Sequence, residues 1–112
     1  SPVFGVSYDD KPMKENMHQH ARAQLMYCAA GVVELRVIEQ VFLVPPSRAV
    51  WIPRNTMHMA LSEQPVSFRS LYFDGEKFSS LSSTVQLLAV SSLLKELILK
   101  ACEFDLNYKL GG

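Results

Sequence analysis

The sequence lacks an excess of charge of either sign. Eleven lysine and arginine residues are balanced by eleven aspartate and glutamate residues in a chain of 112 residues. A domain that grips the phosphates of nucleic acid normally carries a clear basic excess. DNA binding by these residues alone is therefore not expected.

The sequence also lacks an apolar run that approaches the about 20 residues needed to cross a bilayer. Its first residues, Ser1-Pro2-Val3, show no charged region leading into an apolar one, which a signal peptide would have. We therefore expect a cytoplasmic protein without membrane contact. Cysteine is scarce, and Cys28 and Cys102 do not have CxxC spacing, so both are expected to be reduced and buried.

What the sequence does have is a series of short apolar stretches. Hydrophobic residues make up 48% of the chain and charged residues 20%, which is ordinary for one globular domain. Val33, Leu35 and Val37 alternate with polar residues, the period of a half-buried strand. Strands are predicted over residues 3–8, 17–20, 21–30, 32–38, 41–44, 48–52, 57–61, 66–73 and 85–90, with loops at 9–16 and 62–65. This close spacing predicts a mostly β sandwich or barrel.

The hydrophobic period becomes helical after residue 90. Apolar side chains would share one face of a helix, with Ser91 or Ser92 as its N-cap. These apolar residues are Leu93, Leu94, Leu97, Ile98 and Ala101. We expect residues 1–90 to form the barrel and residues 91–112 to form a C-terminal amphipathic helical segment.

The chain has three histidines, and two of them are one residue apart. In an extended strand, His18 and His20 would point to the same side. If the fold brings His58 to that side, three imidazoles share one space. Imidazole nitrogen is a common ligand for transition metals. A metal-free pocket, in which the imidazoles hydrogen-bond an effector directly, is the other interpretation.

The spacing around these histidines resembles the two cupin motifs. The first stretch reads H-x-H, three residues, Gln24, six residues and Gly31. The second has Pro53, Asn55 and His58 at the three fixed positions of the frame P-x-G-x-x-H. Gln24 stands where cupins usually have Glu, Asn55 where they usually have Gly, and Ser62 where they usually have Asn. The resemblance implies a double-stranded β-helix, the jelly-roll barrel of the cupins.

A narrower resemblance runs from about residue 18 to residue 101. The stretches at 18–27, 43–53, 69–74 and 88–98 resemble the N-terminal cupin domain of bacterial AraC-family transcription regulators. That family implies a barrel that senses a small-molecule effector, a homodimer formed through the C-terminal helix, and no enzymatic activity. It also implies that DNA is bound only by a separate C-terminal helix-turn-helix domain, before which this chain ends.

The resemblance also implies roles for individual residues. The expected metal ligands are His18, His20, His58 and Gln24, with zinc, nickel, manganese or iron as the ion. Because Gln24 is a neutral amide, a bound ion would keep its full charge and favour an anionic external ligand. The expected ligand-binding residues lie near the motif ends, with core packing as the alternative: Met26, Tyr27, Trp51 and Met57.

Two further interpretations stay open at this stage. A free-standing metal-dependent cupin enzyme, such as a dioxygenase or isomerase, is the alternative function, although a carboxylate ligand is missing at Gln24. Arg22 and Arg48 are cations that suit an anion, but a solvated strand face is the expected position of both.

Overall fold

A computed structural model of the chain describes residues 3–73 and 83–100. Within these residues seven strands form one sheet that curls into a nearly closed barrel. They are β1 (Val3–Lys14), β2 (Ala23–Ala30), β3 (Val33–Val37), β4 (Val41–Val44), β5 (Arg48–Ile52), β6 (His58–Phe73) and β7 (Gln86–Ala89). The mostly β prediction is confirmed.

Strand β6 organises the sheet because it pairs with three others. Its first residues pair with β3, and its second half lies between β1 and β2. All of these pairings are antiparallel, and β2 pairs in turn with β5. In this register Gln24 of β2 lies opposite Tyr72 of β6 and Ile52 of β5. One end of β6 therefore holds His58, and its other end reaches the side chains next to Gln24.

The two faces of the sheet bury two separate clusters. The interior cluster contains alternate residues of the strands, among them Met26 and Cys28 of β2. The outer cluster contains the residues between them, such as Tyr27, which packs with Leu71 of β6 and Ile98. Because strand side chains alternate between faces, neighbouring residues of β2 contribute to different clusters.

A helix, α1, covers residues 92–100 and packs on the outer face. The Leu94 amide donates to the Ser91 hydroxyl oxygen at 3.3 Å, which confirms the predicted N-cap. Ile98 is buried, whereas Leu93 and Leu97 are 73% and 58% exposed. Most of the predicted apolar residues that lie on α1 therefore face away from the barrel. Ala101, Cys102 and the rest of the predicted 91–112 segment lie outside the described residues. No described helix is long and apolar enough to cross a bilayer.

Two predicted loops are instead parts of strands. Residues 9–14 continue β1, and residues 62–65 continue β6. The ladder between β1 and β6 has register shifts around Lys11, and such bulges accommodate prolines such as Pro12, which cannot donate to a ladder. The opposite error concerns residues 17–20, which were predicted to be extended. There only His18 pairs, through an isolated bridge to His58.

Gly31 turns the chain sharply at the end of β2. Its φ is +78°, a left-handed conformation that costs any residue with a Cβ. A Cβ atom at this position would also lie 2.6 Å from the carbonyl oxygen of Pro65 and 2.8 Å from Val66 Cγ1. A glycine is required here because backbone packs directly against backbone.

Candidate functional site

The three histidines meet at one end of the barrel interior. The backbones of His18 and His58 exchange two hydrogen bonds, of 2.9 and 2.8 Å, which fixes the segment before β2 against the start of β6. The ring centroids of His18 and His58 lie 4.4 Å apart, and that of His20 lies 5.0 Å from that of His58. One ring nitrogen from each residue lies within 4.8 Å of the other two. The fold thus brings together the histidines that the spacing singled out.

Each imidazole is oriented by a carbonyl two residues away. The Nδ1 atoms of His18, His20 and His58 lie 2.7, 2.6 and 2.7 Å from carbonyl oxygens; these belong to Asn16, Arg22 and Thr56. A carbonyl oxygen only accepts, so Nδ1 carries a proton, and the neutral form of each ring then has its free lone pair on Nε2. This is the arrangement of metal-binding histidines, whose outer nitrogen is held by a backbone acceptor.

The turn before His58 is held against the first motif. Asn55 adopts a left-handed conformation with a φ of 58°, as expected where cupins usually have glycine, since asparagine tolerates this region. The backbone N–H of Asn55 donates to the backbone carbonyl oxygen of His20 at 2.8 Å. The two motifs are therefore joined by backbone bonds on both sides of the site.

Gln24 lies directly beside the imidazoles and is 4% exposed. Its Nε2 donates to the hydroxyl oxygen of Ser70 at 2.9 Å, which turns its Oε1 to within 3.3 Å of His20 Nε2. When His20 is neutral and its proton is on Nδ1, its Nε2 atom can only accept a hydrogen bond. Gln24 Oε1 can also only accept, so neither atom donates to the other. A cation next to both atoms would resolve this contact between two acceptors.

The structure adds three residues that the sequence reasoning missed. Ser70 and Tyr72 lie on the inward-facing side of β6, and the Tyr72 ring meets the His20 ring edge to face at 5.5 Å. Burial raises the pKa of Tyr72, and the nearby charge of Glu15 raises it further, while the Ser70 hydrogen bond lowers it. Glu15 accepts a hydrogen bond from the Ala60 amide at 2.9 Å. Alternation along β6 was the signal that could have identified the first two.

Burial also acts on His58, which is 2% exposed. Loss of solvation lowers the pKa of His58, the Thr56 carbonyl opposes this, and the two other imidazoles lower it further. His58 is therefore held neutral at physiological pH, which is the form that binds a metal.

The four expected ligand-binding residues occupy different places. Met26 belongs to the interior cluster, on the same face of β2 as Gln24, and Met57 is half-buried directly before His58. Tyr27 belongs to the outer cluster. Trp51 pairs with Leu25 and contacts the Phe73 ring at 5.7 Å. Tyr27 and Trp51 thus lie on the far side of the sheet from Gln24.

The two candidate arginines also differ. Arg48 is exposed, as expected. The prediction for Arg22 was wrong, because its Nη1 atom is fully buried and its guanidinium carbon lies 4.9 Å from the Phe4 ring centroid. Cys28 is buried, and this burial raises the pKa of its thiol, so the thiolate needed for redox chemistry is disfavoured.

Comparison with solved structures supports the barrel assignment. The chain is similar to an RmlC-like cupin from Shewanella frigidimarina, with a TM-score of 0.60 and 16% identity over 65% of this chain and 67% of that one. It is also similar to Bacillus subtilis oxalate decarboxylase, a protein with Mn(II) centres, with a TM-score of 0.57 and 20% identity over 72% of this chain and 23% of that one. Similarity at such low sequence identity shows that the chain shares the cupin fold.

Comparison of sequences is more specific. The chain is 34% identical over 99 residues to the HTH-type transcriptional regulator NimR of Escherichia coli (strain K12). The match covers 87% of this chain and 35% of that protein, so the chain spans about a third of the length of this relative. The sequence model of the AraC-like ligand binding domain matches residues 6–102. The chain therefore belongs to the family of AraC-like ligand binding domains.

Proposed function

We propose that this chain is the effector-sensing and dimerisation domain of a bacterial AraC-type, DNA-binding transcription regulator. The observation that carries the proposal is the convergence of His18, His20 and His58 beside Gln24 in a domain of this family. The barrel would bind a small molecule or a metal ion and work in the cytoplasm, without catalysing a reaction. Contact with DNA would come from a helix-turn-helix domain outside these 112 residues.

The imidazole cluster suits a divalent transition metal such as zinc, nickel, manganese or iron. Three Nε2 lone pairs converge, and the Nδ1–H groups are held by carbonyl oxygens. Zinc binds imidazole nitrogens at about 2.0–2.1 Å, so nitrogens that already lie within 4.8 Å of one another need only small movements. The three histidines would hold the ion, and Gln24 Oε1 would be the fourth protein ligand. Such an ion would act as a Lewis acid toward an external ligand.

Gln24 favours a sensor over a catalyst. Iron oxygenases of the facial-triad type use a carboxylate beside two histidines, and an amide leaves the charge of the ion uncompensated. The free charge would attract an anionic effector to the open coordination positions. Met26 and Met57 would provide apolar contacts there, whereas Tyr27 packs in the outer cluster and Trp51 contacts the Phe73 ring instead.

Elemental analysis tests the metal part of this proposal. The protein is purified without chelator, and His18→Ala is purified in the same way. We expect a bound transition metal in the first and a loss of it in the second, because the variant removes one of three ligands. Retention of the ion by the variant would contradict the site, whereas the absence of an ion in both would leave the imidazoles to bind an organic effector directly.

The C-terminal helix is proposed as the dimer contact. Leu93, Leu94 and Leu97 are exposed on α1 although each is apolar, and an exposed apolar patch commonly marks a protein interface. We expect Leu97→Glu to shift the sedimentation of the chain from dimer to monomer. Ile38→Glu is the matched control, because Ile38 is also an exposed apolar residue, at 78%, and lies between β3 and β4. Equal effects of both variants would contradict a dimer formed through the helix.

The three-histidine arrangement also supports a second candidate, a metal-dependent cupin enzyme. Oxalate decarboxylase shares the fold and has Mn(II) centres, although its likeness to this chain does not extend to function. The test is consumption of oxygen, or turnover of oxalate, by protein loaded with manganese or iron. Turnover that is lost in His58→Ala would favour the enzyme over the sensor.

A further inference from the structure

We propose that Arg22 forms a recognition subsite for the carboxylate of a small aromatic acid. This inference rests on the proposed sensor function and names the chemical class of the effector. Arg22 lies between His20 and Gln24 in sequence, and its carbonyl oxygen accepts the hydrogen bond from His20 Nδ1 at 2.6 Å. The residue that orients an imidazole of the cluster thus also carries a cationic side chain.

The Arg22 side chain has an unpartnered donor. Its Nη1 atom is buried, and among residues 3–73 and 83–100 no protein acceptor binds it. A buried donor without an acceptor is costly, and the cost is larger when the group is charged. Almost all buried polar groups in folded proteins are satisfied, so this donor calls for an acceptor from outside the described residues, which would be the carboxylate of the bound ligand.

Aromatic side chains lie between Arg22 and the histidines. The guanidinium carbon lies 4.9 Å from the centroid of the Phe4 ring. Phe4 stacks on Tyr72 at 5.1 Å with 15° between the rings, and Tyr72 meets His20 at 5.5 Å. A row of aromatic side chains therefore joins the guanidinium to the imidazole cluster. These rings would provide the apolar contacts of a ligand whose charged group reaches Arg22.

The charge of the Arg22 side chain favours an anion. Among the described residues, the groups around the cluster are the imidazoles, the Gln24 amide, two hydroxyls and the Glu15 carboxylate, whose charge acts on Tyr72. The unpartnered donor belongs to a guanidinium, so an anion is its complement, and a carboxylate suits its two-pronged donor face. The apolar rings favour an aromatic acid over inorganic phosphate.

Benzoate and benzamide are the probes that test this inference. They share shape and ring, but only benzoate carries a charge at neutral pH. Binding is measured by isothermal titration calorimetry on the 112-residue chain, with chelator and with zinc present. The variants are Arg22→Met, Arg22→Lys and the exposed control Arg48→Met.

We expect benzoate to bind the unmodified chain at least about tenfold more tightly than benzamide, the size of one charge-assisted contact. Arg22→Met should lose this preference, Arg22→Lys should keep part of it, and Arg48→Met should not change it. The preference should persist with chelator, because it comes from the guanidinium. The melting temperature of ligand-free Arg22→Met should not fall, since the variant removes an unsatisfied buried donor; a purely structural arginine would give a clear decrease.

Several results would overturn the subsite. These are equal binding of the two probes, no binding of benzoate, or a preference for benzoate that Arg22→Met retains. A preference that requires zinc and survives Arg22→Met would assign the carboxylate to the metal instead. None of these results removes the sensor proposal itself, which the metal analysis and the sedimentation experiment test separately.

Discussion

Replacing Gln24 by glutamate should lower the stability of the metal-free protein, and bound metal should reverse part or all of that loss. In the metal-free protein, Gln24→Glu loses the 2.9 Å donation to Ser70 and places a carboxylate where the native side chain is 4% exposed. An unsatisfied or poorly solvated buried group costs about 1–3 kcal/mol. For 112 residues, each 1 kcal/mol corresponds to roughly 4 °C in melting temperature. We therefore expect the metal-free variant to melt about 4–12 °C lower.

The same substitution should strengthen metal binding. A carboxylate compensates part of the charge of a divalent ion, whereas the native amide compensates none of it. We therefore expect the affinity of Gln24→Glu for the metal to rise at least about tenfold, or ~1.4 kcal/mol. Saturating zinc or manganese should then recover part or all of the lost melting temperature.

The assay is thermal unfolding of both proteins with chelator and with each metal, at pH 8, where histidine is ordinarily neutral. Gln24→Asn, which keeps an amide but shortens the side chain, is the control for lost packing. A variant that melts like the unmodified chain without metal would refute the burial argument. Equal metal responses of the two proteins would refute the place of Gln24 in the coordination sphere.

Other parts of the structure give independent predictions. Gly31→Ala should lower the free energy of unfolding by at least about 3 kcal/mol in urea titrations, because left-handed strain and overpacking add; the cause is the 2.6 Å approach of its Cβ to the Pro65 carbonyl oxygen. In chelator-treated protein, stability should fall as the pH is lowered below 6.5, because burial holds the pKa of His58 below that ordinary value and the unfolded chain then binds the proton more readily. His58→Gln should flatten this pH dependence, and an unchanged slope would contradict it. In a Cys102→Ser variant, iodoacetamide should modify Cys28 far more slowly in the folded chain than in urea, since the thiol is buried and its pKa is raised; equal rates would show that Cys28 is accessible.

The histidine cluster was predictable from the sequence, but the physical reason differs from the one first given. Strand alternation was expected to align His18 and His20, yet the segment around them is not a strand. What aligns the rings is a hydrogen bond from each Nδ1 atom to a carbonyl two residues away. The spacing H-x-H therefore specifies a local hydrogen-bonding pattern rather than a strand face.

Other features depended on pairings between distant parts of the chain. The bounds of β4 and β5 followed from their own apolar runs and were predicted correctly. The length of β6 could not be predicted in this way, since residues 62–65 form a polar stretch that ends in a proline. They continue the strand where Ser62 pairs with Met13 of β1. Tyr72 enters the site only because β6 places it opposite Gln24. Arg22 was misjudged for the same reason, as its burial depends on Phe4 in β1.

Strand β2 is an example of how one segment can serve two purposes through the order of its residues. Gln24 lies beside the imidazoles and Met26 packs in the interior cluster, while Tyr27 packs with Ile98 of α1 on the opposite side. Insertion or deletion of one residue between Gln24 and Tyr27 would exchange these two sets and turn the Tyr27 ring into the barrel interior. Length changes here are therefore restricted to even numbers of residues, a constraint that natural variation of the domain should obey even where the identities of the side chains differ.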